Sequence, residues 1–305
     1  MNSLVRKWGE QVIRSRQLAA GLALVAAFLS FFDLPVGWLS TVIIALITLQ
    51  NGPKQGLMIM AWAILPAVAM LCLGHYPIFI NIVVLHYFVV FGLAIILRKN
   101  NSWINVVKLA SVLGMGSVIC IYYFVPELQT WLVAQLTALA KEYQTTSFIN
   151  FGSADIARGI KYIGLLGTGL ISLAVVIMNL MTLFLARWWQ SRIVPAVSLQ
   201  KECYAIRIHY GASLFLIAIA LGLFANNALF MNVLLVALMP FIFAGLSLFH
   251  SFFATKKNGS SIMTIFYILF LFLSPYVMAL LSFMGWIDSF INFRKRFVID
   301  SAIKE

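Results

Sequence analysis

The chain has 305 residues, of which 63% are hydrophobic and only 10% charged, and its mean hydropathy is +0.99. That balance excludes an ordinary soluble domain, which carries about 25% charged residues. The formal net charge of +12, from 21 Lys and Arg against 9 Asp and Glu, would point to nucleic acid in a soluble protein. Here the cations cluster in short segments between long uncharged stretches, as the positive-inside rule predicts for membrane proteins. No basic surface domain with interleaved aromatic residues is present, so nucleic acid is excluded as a partner.

A backbone in lipid must satisfy its own hydrogen bonds, which a helix of about 20 apolar residues does across a hydrocarbon core about 30 Å thick. The expected architecture is therefore all-α: a polytopic integral membrane helical bundle of 8 to 10 short transmembrane segments, forming one membrane domain over residues 1–305. The opening arm, residues 1–17, is basic. Its Leu4, Val5, Trp8, Val12 and Ile13 recur at helical spacing, as in an interfacial helix on the cytoplasmic leaflet. The apolar stretch from Leu18 to Gln50 is too long for one span, and Asp33-Leu34-Pro35 divides it into helices Leu18–Phe32 and Val36–Leu49. Asn51-Gly52-Pro53-Lys54 is a turn signal.

Helices Gly56–Leu73 and Pro77–Leu97 form the next hairpin, with Pro66 inside the first, and Val106–Val125 follows. Residues 126–161 form an external loop containing an amphipathic helix, from Glu127 to Lys141. Tyr162–Ala186 crosses back. The segment Arg187-Trp188-Trp189-Gln190-Ser191-Arg192 then reads as an interfacial anchor, with its cations in water, opening a basic cytoplasmic loop over 187–209. Tyr210–Ala225 and Ala228–Phe253 form a hairpin. Ser261 to Phe293 is again too long for one span: charge bias favours a break at Ser274-Pro275, which keeps the basic tail, residues 294–305, cytoplasmic, and the alternative is one span followed by an interfacial helix.

No nucleotide-binding loop, zinc-protease motif, nucleophile elbow or paired carboxylates occur, so no catalytic residue, metal or cofactor is assigned and the chain is not expected to be an enzyme. Cys72, Cys120 and Cys203 have no metal-ligand spacing and read as small buried residues. Polar residues at membrane depth are the better lead, because they are costly there and need partners. His86, Asn81, Asn179 and Asn232 are the candidate ligand-binding residues, around a polar cavity near His86. The alternative is interhelical hydrogen bonding that holds the bundle together. Ala19, Ala23 and Ala27 share one face of the first helix and could dock a partner or simply pack. Asp288 precedes Arg294 by six residues, poor spacing for a direct helical pair, so a cation between Arg187 and Arg207 is its expected partner.

Several segments resemble one family. Gly285-Trp286-Ile287-Asp288 with Phe290 and Phe293-Arg294-Lys295-Arg296 looks like the closing motif of the YybS-like bacterial membrane proteins (domain of unknown function 2232). Arg187 and Gln190, with Ala205-Ile206-Arg207, resemble that family's central segment, and Phe243-Ala244-Gly245 through His250 its Gly-Leu-Ala…His segment. The resemblance marks Arg187, Gln190, Arg207, Gly245, His250, Gly285, Asp288 and Arg294, and implies a multi-pass protein of the bacterial inner membrane; the distribution of cations puts its N-terminus on the cytoplasmic side. The family is distantly similar to substrate-binding subunits of energy-coupling-factor transporters, in which a small-residue face docks a coupling subunit that works with ATPases. Ala19, Ala23 and Ala27 match that face.

Two functions follow as expectations. One is a small-molecule-binding transporter subunit acting with separate energising partners. The other is a non-transporting scaffold for envelope or division proteins.

Overall fold

The computed structural model describes residues 2–30, 38–74, 78–146, 153–222, 227–254, 256, 259–291 and 293–294. Among these it is helical throughout, with no strand. Five helices are long and apolar enough to cross a membrane, or six if one bent pair counts as a single span; Trp38–Asn51, Tyr210–Leu221 and Gly259–Phe272 are shorter apolar helices. The all-α polytopic membrane architecture follows from this, and the many exposed apolar side chains, among them Leu65, Phe88, Phe215 and Leu271, make the surface that meets lipid.

The chain forms two compact units, Met1–Ala110 with Ile177–Ile206, and Ser111–Val176 with Arg207–Glu305.

The first unit opens with α1 (Asn2–Arg14) and α2 (Arg16–Leu29), which meet at 107°. Ser15 makes the corner: its backbone is extended and its hydroxyl accepts the Leu18 N–H, capping α2. The central helix is α3 (Trp38–Asn51), buried on all sides from Ser40 to Leu49, which is why its sequence is apolar all round rather than striped. It packs against α2, α4 (Pro53–Cys72) and α5 (Ile78–Asn100). The tight turn between α3 and α4 depends on Gly52, whose φ of +105° suits glycine, followed by Pro53 at the first helical position. The break predicted at Asp33-Leu34-Pro35 lies outside the described residues, as do residues 75–77 between the helices of the next hairpin.

Ala19, Ala23 and Ala27 are 0%, 0% and 2% exposed, sealed in a core with Ile43, Ile44, Ile59 and Ala63. This corrects the docking expectation: the small face is consumed by the chain's own helices α3 and α4, and α2 turns Leu22, Val25 and Phe28 outward instead. Small residues serve here to bring helix backbones close. The cysteine reading is also corrected. Cys72 and Cys120 are exposed on α4 and α6 (Trp103–Phe124), and Cys203 is half-buried.

The largest departure is α8 (Ser153–Ile193). It has 41 residues instead of the 25 expected for Tyr162–Ala186; at 1.5 Å per residue it runs about 60 Å. It stops only at Pro195, which disfavours helix in the residue before it. The interfacial anchor is therefore a continuation of the helix. Its buried stripe runs Val176, Asn179, Leu180, Leu183, Ala186, Arg187, Gln190, so Arg187 is carried inward rather than left in water.

In the second unit α7 (Leu128–Thr146) sets Leu132 and Val133 against Gly167 and Gly164 of α8. Between α9 (Leu199–Tyr204), which belongs to the first unit, and the C-terminus come α10 (Tyr210–Leu221), α11 (Ala228–Ala237), α12 (Met239–Ala254), α13 (Gly259–Phe272) and α14 (Ser274–Phe290). The predicted break at Ser274-Pro275 is where α14 begins, with Pro275 in its first turn. The expected span Ala228–Phe253 is present as Ala228–Ala254, interrupted at Leu238, just before Pro240, into α11 and α12. Helices α12 and α14 pack backbone to backbone. A Cβ on Gly245 would strike the Leu281 carbonyl, and one on Gly285 would strike the Phe241 carbonyl, so both glycines exist to let two backbones touch.

Candidate functional site: a polar cleft built on Arg187

A polar cleft of about 580 Å³ lies in the first unit, lined by Leu49, Gln50, Arg98, Asn101, Arg187, Gln190, Ala196, Val197 and Glu202. Arg187 organises it. Its side chain is 5% exposed and pairs with Glu202 of α9, Nε to Oε2 at 3.0 Å and Nη2 to Oε1. Its Nη1 donates to Gln190 Oε1 at 2.7 Å and its Nη2 to Asn101 Oδ1 at 3.2 Å. Gln190 passes its own amide proton to Gln50 Oε1 at 2.9 Å. Glu202 Oε2 also accepts from Trp103 Nε1 at 3.1 Å. A buried charge is tolerable only when paired and hydrogen-bonded, and this one is held on every side.

Two helix ends supply the rest of the wall. Asn101 follows α5 with φ of +46° and returns its N–H to the Leu97 carbonyl at 2.8 Å, a left-handed helix cap that asparagine tolerates. Arg98, in the last turn of α5, donates Nη1 to the Leu49 carbonyl at 2.6 Å and the Thr48 carbonyl at 3.4 Å. It thereby satisfies the Leu49 carbonyl, whose i+4 residue is Pro53 and has no N–H to give, and joins the Gly52 N–H, 3.2 Å away, on the Thr48 carbonyl. Outside the spans, the Cys203 thiol beside this network is pushed up to about 12 by burial and by the Glu202 carboxylate.

The other marked residues fall elsewhere. His86 sits on α5 with Nδ1 2.8 Å from Asn179 Oδ1, and its buried Nε2 has no hydrogen-bond partner among the described residues. Neither residue lines the cleft, nor the apolar groove of about 480 Å³ bordered by Arg16, Ala20, Leu24, Met58 and Trp62. The side chain of Asn81 lies outside the described residues. Asn232, in the second unit, is fully buried and committed to structure: its Oδ1 accepts the Gly169 N–H at 2.6 Å, and its Nδ2 donates to the Leu165 and Ala228 carbonyls.

Arg207, Asp288 and Arg294 meet at the end of α14 in the second unit. Asp288 is completely buried, with Oδ2 3.5 Å from Arg294 Nε and 3.9 Å from Arg207 Nε. Arg207 also donates to the Asp288 and Ser289 carbonyls, and Arg294 to Ser247 Oγ at 3.1 Å. The expected partner from the central segment is therefore Arg207. The poor helical spacing to Arg294 does not prevent a second pairing, because α14 ends at Phe290 and Asp288 Oδ1 caps the Phe293 N–H at 3.0 Å beyond it. His250 bridges the Leu246 carbonyl and the Tyr267 hydroxyl, both at 2.8 Å.

Two groups of marked residues thus have distinct roles. Arg187 and Gln190 build a cleft; Gly245, Gly285, Asp288 and Arg294 tie α12 and α14 together, and Arg207 fastens the segment before α10 to α14. A family model described as "Predicted membrane protein (DUF2232)" matches residues 17–289. The chain belongs to this family. Its matched segment holds every residue of the cleft, together with Arg207, Gly245 and Asp288; Arg294 lies just beyond. No curated protein and no solved structure matches the chain.

Sequence reasoning missed Glu202, Trp103, Asn101, Arg98 and Gln50 as site residues. One signal was available: Glu202 is among only 9 acids in a chain with 21 basic residues, and it stands inside a basic segment. An acid so placed next to a helix carrying Arg187 has a partner at hand.

Proposed function

We propose that this DUF2232 protein is a membrane-embedded small-molecule-binding subunit that works with separate energising partners. The observation that carries the reading is the polar cleft of about 580 Å³, walled by six polar side chains in a protein whose surface is otherwise largely apolar. A concave site with a few fixed polar groups is what small-ligand recognition requires. A cleft of this size, with amides and guanidinium held in place before any ligand arrives, lowers the ordering cost of binding. In this reading the protein catalyses no reaction, and transport energy comes from a coupling subunit and ATPases, in keeping with the resemblance to energy-coupling-factor binding subunits and to YybS-like proteins. The reading puts the protein in the bacterial inner membrane, with its N-terminus and its basic segments cytoplasmic.

The test is mild-detergent purification of the tagged protein from its native membrane, with retained molecules and proteins identified by mass spectrometry. A retained small molecule that is lost from a Gln50→Leu variant supports the binding subunit. Co-purifying envelope or division proteins, with no small molecule in either sample, would replace it with the scaffold.

A further inference from the structure

The hydrogen-bond directions in the cleft go beyond a generic binding site, and the following rests on the reading just proposed. Arg187 can only donate. It therefore forces the amide oxygens of Gln190 and Asn101 to face it, at 2.7 and 3.2 Å. The Gln190 nitrogen, left as donor, forces the Gln50 oxygen toward it at 2.9 Å. Each amide is thus oriented by a chain that starts from a fixed guanidinium, with no freedom to flip. Both Glu202 oxygens are occupied by Arg187 and Trp103.

Every side-chain acceptor of the cleft is therefore already engaged by a donor of the network. What remains, among the described residues, is a set of donors without protein partners: Gln50 Nε2, Asn101 Nδ2, and the Nε and Nη2 of Arg98, whose Nη1 alone is anchored on α3. The lining charges are Arg98 and Arg187 against Glu202, a net of one positive charge. Donors plus net positive charge, with no free carboxylate, suit an oxyanion and disfavour a cation or a donor-rich ligand.

We propose that this cleft binds an oxyanion, the phosphate or carboxylate of its ligand, on Arg98, Asn101 and Gln50. The oxyanion belongs either to a free small molecule or to the headgroup of a lipid. Arg98 supplies the charge, while the two amides set where the oxygens sit. Arg187 is a positioning residue: it touches no ligand but fixes the polarity of both amides.

The full chain is titrated by thermal unfolding, once in detergent with inorganic phosphate against chloride at matched ionic strength, and once in phosphatidylcholine nanodiscs with added phosphatidate against added diacylglycerol. Stabilisation by phosphate in detergent identifies a free ligand, and stabilisation by phosphatidate alone identifies a lipid headgroup; either supports the proposal. Gln50→Glu and Asn101→Asp keep the oxygen that accepts from the network and replace the outward donor with an acceptor. Each is expected to weaken the response at least tenfold, as is Arg98→Gln. Unaltered phosphate or phosphatidate binding in a folded Asn101→Asp or Gln50→Glu protein would overturn the proposal. So would a cleft that retains a neutral molecule in native mass spectrometry yet answers to neither anion; the binding reading would then survive. A cleft that holds no small molecule and answers to neither anion would remove both.

Discussion

Replacing Glu202 with alanine takes three hydrogen bonds from the first unit at once: two from Arg187 and one from Trp103 Nε1. Arg187 would keep Gln190 and Asn101, both neutral. Its side chain is 5% exposed and that of Glu202 15%, so little water reaches the vacated position. Leaving one charge of a buried pair without its counterpart costs about 3–5 kcal/mol, while replacing both members by apolar residues of similar volume is often neutral or stabilising. Partial water entry on the Glu202 side puts the expected loss near the low end, about 3 kcal/mol. The double variant Arg187→Met with Glu202→Leu should therefore be clearly more stable than Glu202→Ala alone. Equilibrium unfolding in mixed detergent–SDS micelles, followed by tryptophan fluorescence, measures both. Trp103 lies in the network and Trp188 and Trp189 beside it. A loss below about 1 kcal/mol for Glu202→Ala, the size of an exposed surface pair, would refute the idea that this ion pair is buried and organises the cleft. A double variant as unstable as the single one would refute the balance of charge against desolvation.

Ala23→Trp should prevent folding of the first unit or lower its melting temperature sharply, because Ala23 is 0% exposed among α3 and α4 residues; near-wild-type melting would restore the partner-docking face. Gly285→Leu forces α14 away from α12, since the Cβ meets the Phe241 carbonyl and the Gly245 nitrogen, backbone atoms that cannot rotate aside. Overpacking of this kind costs about 1–3 kcal/mol, and an unchanged unfolding midpoint would count against the close crossing. The Cys203 thiol should resist alkylation. Its pKa is raised from 9.0 to about 12, so the protonated form persists across neutral and mildly alkaline pH and thiolate gathers only toward pH 12. Maleimide labelling of Cys203 at pH 8 is expected to be at least tenfold slower in the native than in the SDS-unfolded protein; equal rates would contradict the burial. His86→Leu removes one partner of Asn179, at a cost of about 1 kcal/mol, and leaves phosphate or phosphatidate binding unchanged; loss of that binding with the fold intact would return His86 to the ligand site.

The fold class was legible because the bilayer imposes it. A chain with long uncharged stretches has no other way to satisfy its backbone, and each interruption has a local cause. Gly52-Pro53, Ser274-Pro275 and the corner at Ser15 are all decided by the backbone freedom of one or two residues. The reading failed where hydrophobicity stops being a guide to helix length. Arg187 looks like the end of a span to any rule that counts charges. Yet Ala186, Arg187 and Gln190 continue the buried stripe of Leu183 at helical spacing, and helix α8 runs on to the next proline.

The sequence by itself determined the all-helical membrane architecture and the breaks at Gly52-Pro53 and Ser274-Pro275, and it offered a short roster of candidate residues, because lipid solvation and backbone geometry act locally. Tertiary structure alone decided their roles. Ala19, Ala23 and Ala27 form a small-residue face whether they pack inward or outward, and only the neighbouring α3 and α4 make it a core. Asp288 had several cations within reach in sequence; the segment before α10 gave it Arg207 and the turn after Phe290 gave it Arg294. The cleft depends on Gln50, Arg98, Asn101, Arg187 and Glu202, drawn from four separate stretches of chain. Which amide atom faces inward there is set by hydrogen bonds between residues as much as 140 positions apart, and no spacing rule reaches that far.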